Sequence, residues 1–335
     1  MRNIYKWTED TLIMKRLLQY SALIASLAGC SSDKDNAGAY DQSTYVSPEQ
    51  QAATAARELR ERLTEQYGQE TARYALQIVE NGRRIREHPQ KRTQIDGLEK
   101  RIREKFPLIT PPRLFGFIDE PREAENLARL YQARERVLEK SRKDHVELPM
   151  SFIIAALCNE GHSLDLDRRS SATAGFANYG LDTFGSEFTK IAARGYLPDS
   201  FRNRFRTSEH FNEQHRKVIS ANFERKEDAL EAFVATLAHR QYLFLEDLQR
   251  NGIDAIAIPP EQKLFFTYKY YNGGPNSIER LLQKKSVQAL DAFYKRTITV
   301  GSTGNAYVVL AGHLWLEQSG ATDPNPDGKY WWSTE

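Results

Sequence analysis

Glu160 is the carboxylate best placed by sequence for acid–base chemistry. On a helix, Phe152, Ile153, Ala156, Leu157 and Glu160 fall on one face, so Glu160 ends an otherwise apolar stripe. An apolar setting disfavours the charged form of a carboxyl group and raises its pKa, as a general acid working near neutral pH requires. The alternative is a solvated carboxylate at a helix end. A second group is Tyr270-Tyr271-Asn272-Gly273-Gly274-Pro275, where phenol hydroxyls and an amide run into a turn. Read locally, that run is a helix stop made of residues that tolerate left-handed backbone, followed by a proline. Phe265, Phe266 and Tyr268 precede it and complete an aromatic cluster.

The other side chains narrow the chemistry. The seven histidines are scattered, with no His-Glu-x-x-His or Cys-x-x-Cys spacing, so no metal site is expected. No glycine-rich phosphate loop occurs, and no cofactor is implied. His239, within an apolar helical run, reads as a core or surface histidine rather than a ligand. The 335 residues include 47 basic and 45 acidic ones, and a net charge of +2 gives no electrostatic basis for binding nucleic acid. Hydrophobic residues make up 40%, enough for a sizeable core. Of the two cysteines, Cys158 lies in an apolar run and reads as a small core residue.

The elements that must position these residues follow from periodicity and punctuation. Ser47-Pro48-Glu49-Gln50 reads as an N-cap with proline at the first helical position. One long helical pattern then runs to about Glu87, with Leu59, Leu63, Tyr67, Tyr74 and Ile78 inward. A second helix is expected over Lys91–Lys105. A third follows Pro121 to about Lys143, with Leu127, Leu130, Val137 and Leu138 inward and its charges solvated. After Leu148-Pro149 comes an apolar helix, Ser151–Glu160, then a loop region to about Tyr179. Further helices are expected over Ser186–Arg194, Glu209–Ser220, Lys226–Asn251, from Pro259-Pro260 to Asn272, over Ser277–Lys284 and over Asn305–Gln318. Only Thr297–Val300 reads as a strand, so the fold class is mainly α.

The N-terminus carries its own pattern. Met14-Lys15-Arg16 is a basic stub, and Leu17–Leu27 is an apolar stretch too short to span a bilayer. Leu27-Ala28-Gly29-Cys30 resembles the lipobox of bacterial lipoproteins. That resemblance implies a signal peptide over 1–29, lipidation of Cys30, a membrane contact made through the lipid anchor, and a tether over 30–46. Ser31 after the cysteine, rather than Asp, implies the periplasm-facing outer membrane under enteric-type sorting. A lipidated Cys30 leaves Cys158 without a disulfide partner.

Val146-Glu147-Leu148-Pro149-Met150, leading an apolar helix that ends in Glu160, resembles the start of a lytic transglycosylase domain of the soluble type. Tyr271-Asn272-Gly273-Gly274-Pro275 resembles the Tyr-Asn-Ala-Gly-Pro signature of that family, and Asn305-Ala306-Tyr307-Val308 resembles its closing helix. The likeness covers about residues 130–320. Gly161 stands where the family has Ser, and Gly180-Leu181-Asp182-Thr183 stands where it has Gly-Leu-Met-Gln.

The resemblance implies a lysozyme-like catalytic domain over 126–335, preceded by a helical N-terminal arm over 47–125, acting on peptidoglycan glycan strands. Glu160 would be the catalytic acid and base. Tyr271 would orient it or hold the substrate, Asn272 would cap the helix and shape the groove, and Asp182 and Thr183 would contact substrate. Tyr268 and Tyr271 could stack on sugar faces, helix core being the alternative use of the same rings. A hydrolytic muramidase would need a second carboxylate, and Asp165, Asp167, Asp182 and Glu187 lie within reach, Asp182 foremost. An inactive wall-binding scaffold using the same groove is the third reading. Trp331-Trp332 is either a sugar platform or a plug on the body. The sequence names no protein partner.

Overall fold

The computed structural model describes residues 47–87, 89–107, 121, 123–161, 184–211, 217–223, 225–300 and 306–322. Cys30 and the leader, Asp165, Asp167, Asp182, Thr183 and Trp331-Trp332 lie outside the described residues. Helix accounts for 82% of what is described, so the mainly α class expected from sequence holds. The chain divides into two compact units, Met1–Gln51 and Ala52–Glu335. In the first, Ser47 forms a reciprocal cap: the Gln50 amide donates to Ser47 Oγ at 3.2 Å, and the Ser47 amide donates to Gln50 Oε1 at 3.0 Å.

The N-terminal helices are α1 (Pro48–Tyr67), α2 (Gln69–Glu87), α3 (Pro89–Lys105) and α4 (Glu123–Ser141). The single helix expected up to Glu87 is broken at Gly68, whose φ of +84° is open to glycine and strained for other residues. The inward positions hold: Leu63, Tyr74, Ile78, Leu127, Leu130 and Val137 are buried, and Leu59, Tyr67 and Leu138 are half-buried. The charges of α4 are not all solvated. Arg129 Nη2 lies 2.9 Å from Glu227 and Arg136 Nη2 3.2 Å from Glu231, tying α4 to α7 (Lys226–Arg250).

Between them come α5 (Met150–Gly161) and α6 (Phe184–Ala193). Beyond α7 lie α8 (Pro260–Gly273), the single turn α9 (Glu279–Leu282), α10 (Val287–Val300) and α11 (Ala306–Gln318). The N-terminal helices share one apolar core with these: Leu63, Ile78 and Leu98 join Leu157, Phe233, Phe266 and Leu310. Tyr74 donates its hydroxyl hydrogen to the Thr322 carbonyl, and Asn81 Nδ2 donates to the Gly320 carbonyl, each at 3.3 Å.

Three sequence expectations are corrected. Of the expected helix Glu209–Ser220, the described residues are instead strand, within the antiparallel pair β1 (Phe205–Phe211) and β2 (Lys217–Phe223), in register Phe205↔Phe223 to Phe211↔Lys217. Its base is fixed by Phe205 and Phe223 packing with Phe188 and Phe201, at ring distances of 5.0–6.4 Å. Conversely, Thr297–Val300 is the last turn of α10 rather than a strand. Leu290, Tyr294, Thr297 and Ile298 are buried at helical spacing, and this stripe overrides the β-branched run. The helix expected over Ser277–Lys284 is a 3₁₀ turn, Pro275–Ser277, followed by α9.

Candidate functional site

The site is built from the C-terminal ends of α5 and α8. Helix α5 starts on Pro149, whose carbonyl accepts from the Phe152 and Ile153 amides at 3.0 and 3.1 Å. The expected single apolar face is exceeded: Ile154 and Ala155 are buried as fully as Phe152, Ile153, Ala156 and Leu157. A helix apolar on every side belongs in the middle of a core, and α5 packs there against α11 and the rest of the bundle. Its character changes in the last turn, where Cys158 and Asn159 are half-buried. Burial pushes the Cys158 thiol up to about 12, so it is an inert thiol packed against the core, as its apolar surroundings suggested. Asn159 Nδ2 donates to the Tyr268 hydroxyl oxygen at 2.8 Å. Glu160 is the next residue on the same helical turn.

Helix α8 supplies the facing side. Pro259 and Pro260 open it, and the Lys263 amide donates to the Pro259 carbonyl at 3.0 Å. From Leu264 to Tyr271 every residue is buried. The Tyr268 and Tyr271 rings lie 5.3 Å apart, and Tyr271 meets Phe233 of α7 edge-on at 5.8 Å. Tyr270 points elsewhere and donates to Asp247 Oδ2 at 2.8 Å. Burial and that carboxylate raise the Tyr270 pKa well above the phenol range. Tyr268 and Tyr271 are 0% and 4% exposed, so protein occupies their faces. The stacking role read from sequence therefore gives way to the core use of the same rings.

The end of α8 is made by glycine. Gly274 has φ +66° and ψ 177°, a conformation essentially confined to glycine, and its amide donates to the Tyr270 carbonyl at 2.9 Å. A Cβ on Gly273 would stand 2.8 Å from Ser277 Cβ, so the chain can turn back this tightly only without one. The helix is thus closed by Gly274 rather than by Asn272, whose side chain is exposed beside the turn.

A buried charged cluster flanks Tyr271. Arg240 Nη2 of α7 lies 2.8 Å from Glu187 Oε2, in the first turn of α6, with side chains only 6% and 10% exposed. Burial lowers the Arg240 pKa, an effect opposed by the nearby acidic groups of Glu187 and Tyr271. Arg240 Nε has no hydrogen-bond partner among the described residues, nor has His239 Nδ1. Burial, then the cations of Arg240, Arg194 and Lys190, push His239 down to about 3, so it is a neutral core residue, though its Nδ1 is not satisfied as a core histidine's was expected to be. Arg194 caps this side, its guanidinium 3.3 Å over the Tyr242 ring.

Sequence reasoning thus located the two ends that meet but missed Asn159 and Arg240. Asn159 was signalled only by adjacency to Glu160, and Arg240 by being a cation inside an otherwise apolar stretch of α7. Glu187, one of the carboxylates within reach, is committed to Arg240. Among the described residues no group of three His, Cys, Asp or Glu side chains could hold a metal ion. A cleft of about 800 Å³ lies elsewhere, between Lys143–Glu147 and Tyr242–Ile256; it includes Glu147 of the family-like motif but none of the residues given a catalytic or substrate-binding role from sequence. Comparison with protein-family models, curated proteins and solved structures finds nothing that matches the chain.

Proposed function

We propose that this chain is a lipid-anchored, lysozyme-like lytic transglycosylase that cleaves the MurNAc-GlcNAc bond of peptidoglycan with Glu160 as its acid and base. The observation that carries this reading is the Asn159–Tyr268 hydrogen bond together with the Tyr268–Tyr271 contact. It joins two segments 109 residues apart, and they are the two whose motifs resemble the family. Glu160 would protonate the glycosidic oxygen as the bond to C1 breaks. The C6 hydroxyl of the same sugar then attacks C1 and returns its proton to Glu160, closing a 1,6-anhydro ring without water. A single carboxylate suffices for this, and the engagement of Glu187 with Arg240 leaves it unsuited to activating water. Cys30 would hold the enzyme at the periplasm-facing outer membrane.

Digestion of purified sacculi with mass analysis of the products tests the reaction. Anhydro-muropeptides are expected. Reducing ends would mean a hydrolase, with Asp182 the first carboxylate to examine, and no release would mean a wall-binding scaffold. Labelling cells with a fatty-acid probe tests the anchor. Cys30→Ser should abolish the label, and equal labelling of both proteins would overturn it.

A further inference from the structure

The cleft between Lys143–Glu147 and Tyr242–Ile256 holds about 800 Å³, within the range of small-ligand sites. Its floor is one face of α7, where Tyr242, Leu245, Glu246 and Gln249 stand at i, i+3, i+4 and i+7. Tyr242 and Leu245 are half-buried there, and the Arg194 guanidinium covers the Tyr242 ring. One wall is the segment that leads into α5. It turns at His145, whose φ of +53° is uncommon for a residue with a side chain. The other wall includes the 3₁₀ turn Ala255–Ala257, rooted in the core by buried Ile253 and Ile258 and pinned where Asp254 Oδ1 accepts the Ile256 amide at 2.9 Å. Ile256 is thereby held out at the cleft with 90% of its surface exposed.

Three of the carboxylates that line the cleft are engaged. Asp144 accepts from the Tyr196 hydroxyl at 2.6 Å, Glu246 has Arg250 at 2.7 Å, and Asp254 caps its own turn. Glu147 is exposed, and its side chain has no partner among the described residues. Lys263, half-buried in the first turn of α8, is likewise without one, as is exposed Lys143. The available charges are therefore of both signs and come from different elements, with an apolar floor beside them. A ligand of one sign would pair with one of these groups and meet a like charge in the other.

We propose that this cleft binds a short peptide with free ends. The peptide's ammonium group meets Glu147, its carboxylate meets Lys263, and an apolar side chain between them lies on Tyr242 and Leu245 beside Ile256. Gln249 offers an amide to the peptide backbone. This site is separate from the ends of α5 and α8 that face Glu160, and it does not depend on the glycan-cleaving reading.

The test titrates the full chain, in nonionic detergent, with the tripeptide Ala-Leu-Ala and reads binding by saturation-transfer NMR. Three forms are compared: both ends free, the amino end acetylated, and the carboxyl end amidated. The free peptide should bind, with the leucine methyl groups receiving the strongest transfer, and each blocked form should bind roughly fivefold more weakly, as the loss of one solvent-accessible ion pair gives. Glu147→Gln should remove the penalty for acetylation, and Lys263→Met the penalty for amidation, with melting temperatures near wild type. Ile256→Ser should weaken all three forms alike. No binding of the free peptide overturns the proposal, as does equal binding of the free and blocked forms. An amidation penalty that survives Lys263→Met and vanishes in Lys143→Met overturns the role given to Lys263. Displacement of the peptide by an equal concentration of glycerophosphoethanolamine would mean a lipid headgroup site and would also overturn it. Since no turnover is read, failure of the sacculus digestion leaves this outcome unaffected.

Discussion

The two ends of α5 carry polar side chains in very different settings. At the N-terminal end Ser151 Oγ and His313 Nδ1 share a 2.8 Å hydrogen bond, both residues are 4% exposed, and His313 Nε2 has Glu317 at 3.7 Å. At the C-terminal end Asn159 bonds Tyr268 while staying half-buried, and exposed Asn272 follows the buried tyrosines of α8. A serine, a histidine and a glutamate in a row resemble catalytic machinery more than an asparagine and a tyrosine do. Access decides otherwise. Ser151 and His313 are sealed between α5 and α11 and clamp the two helices, whereas half-buried Asn159 and exposed Asn272 stand at the edge of the core, where the proposed reading puts the chemistry.

The largest effect that would sharpen this contrast is at the C-terminal end. Glu160→Gln keeps the shape and loses the proton, so turnover on labelled sacculi should fall by at least roughly 10²–10⁴-fold with an unchanged melting temperature. Wild-type turnover in that variant would remove Glu160 from the mechanism. Asp182→Asn, read in the same assay, should be tolerated by a transglycosylase and not by a hydrolase that depends on it.

Acid should act on the other end through stability. Burial pushes His313 down to about 4, against 6.5 in the unfolded chain. Its folded pKa is depressed, so the unfolded state takes up the proton first. The stability due to neutral His313 is complete above pH 6.5 and is lost as pH falls towards 4, on the order of 3 kcal/mol. His239 adds to the loss down to about pH 3. Melting temperatures between pH 7 and 4 should therefore fall steeply in wild type and less steeply in His313→Gln. Equal slopes would mean His313 is not the group responsible.

Smaller effects separate the two ends further. Ser151→Ala leaves His313 Nδ1 buried without its partner, a loss of about 1–3 kcal/mol in chemical denaturation, with turnover per folded molecule unchanged. A drop in turnover at full stability would break the contrast. Asn159→Ala removes one half-buried hydrogen bond, about 0.5–1.5 kcal/mol of stability, yet should lower turnover because it frees the Glu160 turn from α8. Full turnover in Asn159→Ala would show that the hydrogen bond is only structural.

Much of the architecture was legible because local signals and tertiary packing agree. The Ser47 cap, the proline starts of α5 and α8, and the glycine end of α8 each rest on backbone chemistry carried by a few adjacent residues. The failures fall where a distant partner outweighed the local signal. Phe205 and Phe223 found Phe188 and Phe201 and made an antiparallel strand pair where Glu209–Phe211 and Lys217–Ser220 read as helix. Thr297–Val300 favoured a strand until the stripe from Leu290 buried it in α10. At the site, Tyr268 and Tyr271 were visible, but whether their rings face a groove or the core depends on what packs over them, and both are buried.

By itself, the sequence determined that the protein is mainly helical, where α5 begins, where α8 begins and ends, and that the Tyr-Asn-Gly-Gly-Pro run closes α8. Those outcomes follow from hydrogen bonding and backbone freedom within a few residues. Only the tertiary structure decided that the two helix ends meet through Asn159 and Tyr268, that Glu187 is held by Arg240, and that Ser151 and His313 are sealed away. Such pairings are set by which apolar surfaces cover one another across the core, and no spacing along the chain encodes that cover one residue at a time.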